Sequence, residues 1–304
     1  MTDHPTYAEI IRRRVNIDFG SAKVSGWHPS SKEFESRMNA LSFVFPAGEK
    51  FFIESVQYYL NRITDPVLKE QARRFIYQEA MHSKEHDRSN RELAAVHSYG
   101  SEMERVCEAV LNFGRRTSPR ATQLAITCAL EHFTAMLADG LLRNQDWLLS
   151  ESDSAFAALW LWHAVEETEH KAVCFDVYQH VCGKGVFSYL HRVAVMFSTS
   201  LLFVATLGVG FMLIKRKQRR EPQPEPTVAP SDTPPDQPSP GAPKMSFFLR
   251  DISMKLYFDY YRPSYHPWDH KNAHLIAEWK KRYTGVEPDQ PAALSDASKW
   301  FRVS

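Results

Sequence analysis

Apolar residues recur at helical spacing along most of this chain, and the residues that interrupt them are chiefly carboxylates and imidazoles. From Pro46 to about Arg62, Phe52, Ile53, Val56, Tyr59 and Leu60 form one stripe, and Pro46 suits a first turn. Asp65-Pro66 is a good N-cap and N1 pair. It predicts a second helix through Phe75 and Ile76 to about Val96, with Gly100 beyond its end. A shorter helical stretch covers 106–113. Ser118-Pro119 restarts the pattern, and Leu124, Ala125, Cys128, Phe133, Met136 and Leu137 carry a third long helix to about Leu142. Ser152 or Ser154 caps a fourth, which extends to His180 or beyond and stops at Gly183. No segment alternates with period two between turn signals. The expected fold class is therefore all-α, with a four-helix bundle over residues 46–190.

The flanks differ from this bundle. Residues 1–45 read as a loosely structured lead-in, in which Arg12-Arg-Arg14 is expected at the surface. Residues 193–214 carry no charge, and as a helix these 22 residues would span about 33 Å, enough for a bilayer core of about 30 Å. Lys215-Arg-Lys-Gln-Arg-Arg220 follows at once. Such a basic flank belongs on the cytoplasmic face or against anionic headgroups, so 191–220 predicts membrane association on the cytoplasmic side. A spanning, surface-lying or dimer-buried helix all remain open, a homodimer among them. Residues 221–245 are a proline-rich linker, with nine of the eighteen prolines between 221 and 243. An aromatic helical tail, 246–304, follows, with Phe247, Phe248, Tyr257, Tyr260, Tyr261, Trp268 and Trp279 in its first part.

Composition narrows the function. With 43% hydrophobic residues and 12% aromatic in 304, a sizeable core is assured. A formal net charge of +1 argues against nucleic acid as a partner and offers no general electrostatic handle for acidic substrates; the expected partner is a small-molecule substrate. Cys107, Cys128, Cys174 and Cys182 have neither metal-site nor disulfide-framework spacing and read as reduced thiols. The N-terminus lacks the apolar run of a secretory signal.

The candidate chemistry lies on the long helices. Trp160-Leu-Trp-His-Ala-Val-Glu-Glu-Thr-Glu-His-Lys171 places His163, Glu167 and His170 at i, i+4 and i+7 on one helix face, among residues that belong indoors. The second helix repeats the Glu-x-x-His spacing as Glu79 and His82. A bundle that holds two metals takes Glu-x-x-His from two helices and one Glu from each of the other two. Glu131, embedded in Ala129-Leu-Glu-His-Phe-Thr134, supplies one. Glu49 supplies the other, sharing its face with Ile53, Val56 and Leu60, whereas Glu54 lies about 140° away round the helix. A first-turn acid stabilised by the helix dipole is the alternative for Glu49. Glu54, His86, His132 and Glu166 are candidates for the surrounding shell that orients the ligands. Carboxylate and imidazole donors suit two iron ions, with manganese or zinc as alternatives.

These residues resemble a family of predicted metal-dependent hydrolases. Its pattern looks like Phe45-Pro-Ala-Gly-Glu49, Gln78-Glu-Ala-Met-His82 with His86, Ala129-Leu-Glu-His-Phe-Thr134, Trp162-His-Ala-Val-Glu-Glu-Thr-Glu-His170 and Tyr261-Arg-Pro-Ser-Tyr-His-Pro-Trp268. The resemblance covers most of the chain except the proline-rich linker, and it implies a ferritin-like, metal-dependent enzyme. His163, Glu167 and His170 are also similar, more distantly, to the last helix of the ferritin-like di-iron N-oxygenases of aminobenzoate, which implies a di-iron centre with an extra histidine. Glu and His ligands on bundle helices place activation of dioxygen first, against a small and hydrophobic substrate. Hydrolysis by metal-activated water is the alternative. A membrane-associated metal-binding protein without turnover is the second alternative.

Overall fold

A computed structural model describes residues 8–97, 100–218, 254–283 and 301–303; the proline-rich linker and the start of the aromatic tail lie outside them. The fold is an all-α helical bundle. Its elements are β1 (Arg13–Val15), α1 (Lys32–Gln57), α2 (Pro66–Val96), α3 (Gly100–Thr117), α4 (Arg120–Arg143), α5 (Gln145–Glu151), α6 (Ser154–His170), α7 (Val173–Cys182), α8 (Val186–Gln218), α9 (Met254–Asp259), α10 (Ala273–Tyr283) and β2 (Phe301–Val303). The two short strands pair antiparallel, Val15 opposite Phe301.

Helix α6 is the centre of the bundle. Every side chain from Ala155 to His170 is buried, which a helix achieves only when neighbours surround it on all sides. It packs against α2, α4, α5 and α10, while α1 lies along α2. The apolar interior falls into two large clusters. On α1 the changeover between them comes between Val44 and Phe51, on α2 between Phe75 and Leu93, on α4 between Cys128 and Ala138, and at the end of α6 between Val165 and Val173. A polar seam therefore crosses the bundle at one level.

The structure corrects several expectations. The first helix does not begin at Pro46: it begins at Lys32, capped by Ser31, and Pro46 lies inside it. A proline within a helix leaves the carbonyl four residues earlier without its amide donor. Here that carbonyl belongs to Ser42, and the Asn90 side-chain amide of α2 donates to it at 2.8 Å. The proline break is thus sealed from the neighbouring helix. The 1–45 lead-in is not loose where it is described, because Ile17, Phe19 and Trp27 are buried. Arg13 is not a surface residue but is 1% exposed. The fourth helix is two: α6 ends at His170, Lys171 and Ala172 form a turn, and α7 restarts at Val173. Gly183, with a positive φ of 82°, does end α7. Helix α2 ends at Val96 as expected, and Gly100, beyond that end, opens α3.

Helices α4 and α8 are the two, among the described residues, whose length and composition would allow a membrane crossing. Helix α4 is largely enclosed by the bundle. Helix α8 has one face against α4 and α3 and another that nothing covers among the described residues.

Candidate metal centre

Seven side chains meet at the seam. Glu49 comes from α1, Glu79 and His82 from α2, Glu131 from α4, and His163, Glu167 and His170 from α6. Each is buried. They form two donor groups, Glu49 with His82 and His163, and Glu79 with Glu131, Glu167 and His170; within each group one donor atom per residue lies within 4.8 Å of the others. Two carboxylates span the groups. Glu167 Oε1 lies 3.1 Å from His163 Nε2 and 3.6 Å from His82 Nδ1, while its Oε2 is 3.5 Å from His170 Nε2. Glu79 Oε1 is 3.2 Å from His170 Nε2 and 3.8 Å from His82 Nδ1.

Each histidine is held by one ring nitrogen, which frees the other. His82 Nε2 donates to Glu166 Oε2 at 3.1 Å, so Nδ1 faces the site. Glu166 is in turn held at 2.9 Å by the Arg13 guanidinium. His170 Nδ1 donates to Gln78 Oε1 at 2.9 Å, so Nε2 faces the site. For His163 the assignment comes through a chain. The Ser42 hydroxyl donates to Asn90 Oδ1 at 2.6 Å and so accepts from His86 Nδ1 at 2.8 Å. His86 Nε2 then accepts from His163 Nδ1 at 2.7 Å, which turns His163 Nε2 toward Glu167 Oε1 at 3.1 Å. The His82 and His163 rings stack 4.1 Å apart and turn His82 Nδ1 and His163 Nε2 toward the same Glu167 oxygen.

Those atoms call for a positive charge. Both oxygens of Glu49, Glu79 and Glu131, together with His82 Nδ1 and His170 Nε2, are buried without a hydrogen-bond partner. Leaving so many polar atoms unanswered in a dry interior is costly. Oxygen and imidazole nitrogen donors of this kind match first-row divalent metals, so the residues present fit the metal ions that their pattern implies. The protonation chemistry agrees. Burial, and then the charge of Glu167, pushes the Glu49 carboxyl well above its ordinary value; burial and Glu131 do the same to Glu79. Burial raises Glu131 to about 7. Burial alone would discharge His170 and protonate Glu167, but their mutual attraction overrides it, raising the imidazole and lowering the carboxyl. A proton on His170 thus occupies the position that a cation would take. His82 and His86 are pushed well down, by burial first and then by His163, and stay neutral.

Of the residues singled out in the sequence for the surrounding shell, His86 and Glu166 touch the histidines as described. The other two do not. Glu54 lies at the surface, where Arg115 Nε donates to it at 2.7 Å. His132 follows Glu131 by one residue and so points about 100° away from it; its ring bonds Tyr265 and the Leu256 carbonyl of the tail instead. Sequence reasoning missed Arg13, Gln78, Ser42, Asn90 and Glu169. Arg13 Nη1 and Nη2 donate to Glu169 at 2.9 and 2.5 Å, and Gln78 Nε2 donates to the same carboxylate at 3.0 Å. The one available signal was a third acid, Glu169, on an apolar helix, which needs a buried cation somewhere. Thr134 was also missed; its hydroxyl donates to Glu167 Oε2.

A cavity of about 710 Å³ opens beside the centre between α1, α3, α4 and α8, with Glu49 and Thr134 in its wall. A family model described as predicted metal-dependent hydrolase matches residues 11–271. No curated protein and no solved structure matches the chain. The likeness to the aminobenzoate N-oxygenases finds no counterpart in these comparisons.

Proposed function

Because the chain belongs to the predicted metal-dependent hydrolase family, we propose that it is a hydrolase whose seam of four carboxylates and three imidazoles holds two metal ions beside an apolar substrate cavity. The observation that carries this reading is the convergence of donor atoms without partners. Both oxygens of three glutamates and the free nitrogens of His82 and His170 face one buried space from four helices. When bound, a pair of divalent ions would polarise a carbonyl or similar group and bring a water's pKa near 7. In the net reaction the water oxygen bonds to the substrate's electrophilic carbon, the bond to the leaving group breaks, and the leaving group takes up the proton.

The chain's own residues supply the rest. Glu79, within reach of His82 and His170, and Glu167, within reach of those two and His163, would serve both donor groups. Thr134 fixes the orientation of Glu167 from the cavity wall. Glu49 is the donor that both lines the cavity and belongs to the His82–His163 group, so it marks where substrate meets the centre. Glu166 and Arg13 hold His82, and Gln78 holds His170, so these ligands are oriented before any ion arrives.

A second reading, oxidation by dioxygen at two irons, is favoured by one specific feature: the donors are glutamate and histidine alone, on four bundle helices. One experiment separates these readings. Metal content is measured on protein purified without chelator, with Glu167→Ala and His170→Ala beside it, and both acyl-ester hydrolysis and oxygen consumption are followed. Two ions per wild-type chain, lost in both variants, with metal-dependent ester cleavage, are expected. Two irons with oxygen uptake and no hydrolysis would move the oxidative reading to the front. Metal content untouched by either substitution would sink both.

A further inference from the structure

The cavity beside the centre has a shape and lining that select its ligand. Along α4 its wall is Ile126, Leu130, Phe133 and Leu137, one stripe at steps of four, three and four residues. Facing them from α8 are Val195, Leu202 and Phe203. Several hydroxyls in this wall are already engaged. Ser198 donates to the Val195 carbonyl at 3.0 Å, Thr206 to that of Leu202 at 2.8 Å, and Thr122 is held by His191 at 3.0 Å. Asp139 is paired with Arg143 at 2.6 Å. The charged lining residue whose oxygens have no hydrogen-bond partner is Glu49, at the metal centre. A ligand that fits is therefore apolar along its length and reactive at one place.

The mouth of the cavity adjoins the uncovered face of α8. Ser198 and Leu202 line the cavity and are themselves exposed. Next to them Phe187, Leu190, Phe197, Leu201 and Val204 recur at three- and four-residue steps, or sums of them, and stay open, Phe187 at 89% and Leu201 at 60% exposure. Large contiguous apolar surface of this kind marks an interaction face. The cluster Lys215-Arg-Lys-Gln-Arg-Arg220 at the end of this apolar run complements anionic headgroups.

We propose that the cavity is an acyl-chain site filled from a lipid bilayer, with the exposed stripe of α8 resting in the membrane and the cavity between α8 and α4 leading the chain to Glu49. The proposal rests on the hydrolytic reading for what happens at the chain's reactive end; binding of the chain does not depend on it. A volume of about 710 Å³ lies within the ordinary range of roughly 300–1,000 Å³ for small-molecule sites.

The test uses full-length protein and cis-parinarate, a fluorescent fatty acid, displaced by straight-chain fatty acids of increasing length. Affinity is expected to rise about fourfold per methylene, from about 0.8 kcal/mol each, until the cavity is full. Leu130→Trp and, at the exposed mouth, Leu202→Trp should each weaken probe binding at least tenfold while metal content per chain stays that of wild type. Unchanged probe affinity in both variants, or affinity independent of chain length, overturns the site. Probe binding by protein that holds no metal would leave the acyl site standing and remove the hydrolytic reading; metal without probe binding would do the reverse. In a second arm, flotation with phosphatidylcholine vesicles containing phosphatidylglycerol should fall at least tenfold in Phe197→Asp and Leu201→Asp, with probe affinity in buffer unchanged. Undiminished flotation, or variants that turn a dimer into a monomer without altering flotation, would overturn the bilayer as the source.

Discussion

Arg13 carries the main counter-charge for two carboxylates in the core, with the Lys280 ammonium 3.8 Å from one of them. Its guanidinium bridges Glu166 and Glu169 and lies over the Trp279 ring at 5.2 Å. Removing one partner of a buried charged network leaves the others unpaired, which costs about 3–5 kcal/mol. Arg13→Met is therefore expected to lower unfolding stability by about that amount in urea titration, and to loosen His82 through Glu166. A loss below 1 kcal/mol would mean that water reaches these acids. His86 tests the other side of the centre. It touches no donor carboxylate in the structure, yet it fixes which nitrogen of His163 faces the centre. His86→Ala should reduce metal affinity about 10–100-fold in chelator competition, the usual effect of losing a group that orients a ligand. An unchanged affinity would show that His163 needs no such support.

Helix boundaries show what a sequence can and cannot carry. The start of α2 was legible because Asp65-Pro66 acts within its own turn: the Asp65 carboxylate accepts from the Val67 and Leu68 amides. The donors of α2, α4 and α6 were legible because a carboxylate and imidazole at helical spacing among apolar residues have few other uses. Pro46 misled because its local meaning, a first turn, is overridden by a residue on another helix. Nothing near residue 46 announces Asn90. The break at Lys171 carries no glycine or proline; it coincides with the Lys171 ammonium reaching the His270 carbonyl at 2.8 Å and Asn272 Oδ1 at 2.6 Å, a contact 99 residues or more away in the chain. His132 looked as good as His86, and only the direction of its helix face separated them. Asn90 makes the element-level prediction. Asn90→Leu strands the Ser42 carbonyl and releases His86, and should cost about 1–3 kcal/mol. Adding Pro46→Ala gives the helix back the missing amide and should recover part of that loss. Strict additivity of the two substitutions in a double-mutant cycle would refute the link.

For the whole molecule, the centre is the seam where two apolar clusters meet, so its charge state acts on the entire bundle. In the metal-free protein the sign of the pH dependence follows from the carboxyls. Glu131 binds its proton up to about 7 when folded, and Glu49 and Glu79 are held above their ordinary value as well, whereas in the unfolded chain these groups ionise near 4.5. Between those limits these three groups bind more protons in the folded state, so their contribution to stability falls as pH rises. Glu167 runs the other way, but its lowered value acts only below the unfolded 4.5. His82 and His86, held neutral when folded, oppose the carboxyls up to the unfolded histidine value of 6.5, and the raised His170 joins the carboxyls above it. Metal reverses the balance. Divalent ions take the place of the protons, and ligand binding to the folded state alone adds about 2.7 kcal/mol at a free concentration one hundred times Kd. Thermal unfolding of stripped protein should therefore show Tm decreasing from about pH 6.5 to pH 8, where the raised carboxyls and His170 act together, while protein with saturating metal gains most at the upper end of that range. A stripped protein whose Tm is flat or rises over that range would mean that the carboxylates are not jointly buried at the seam.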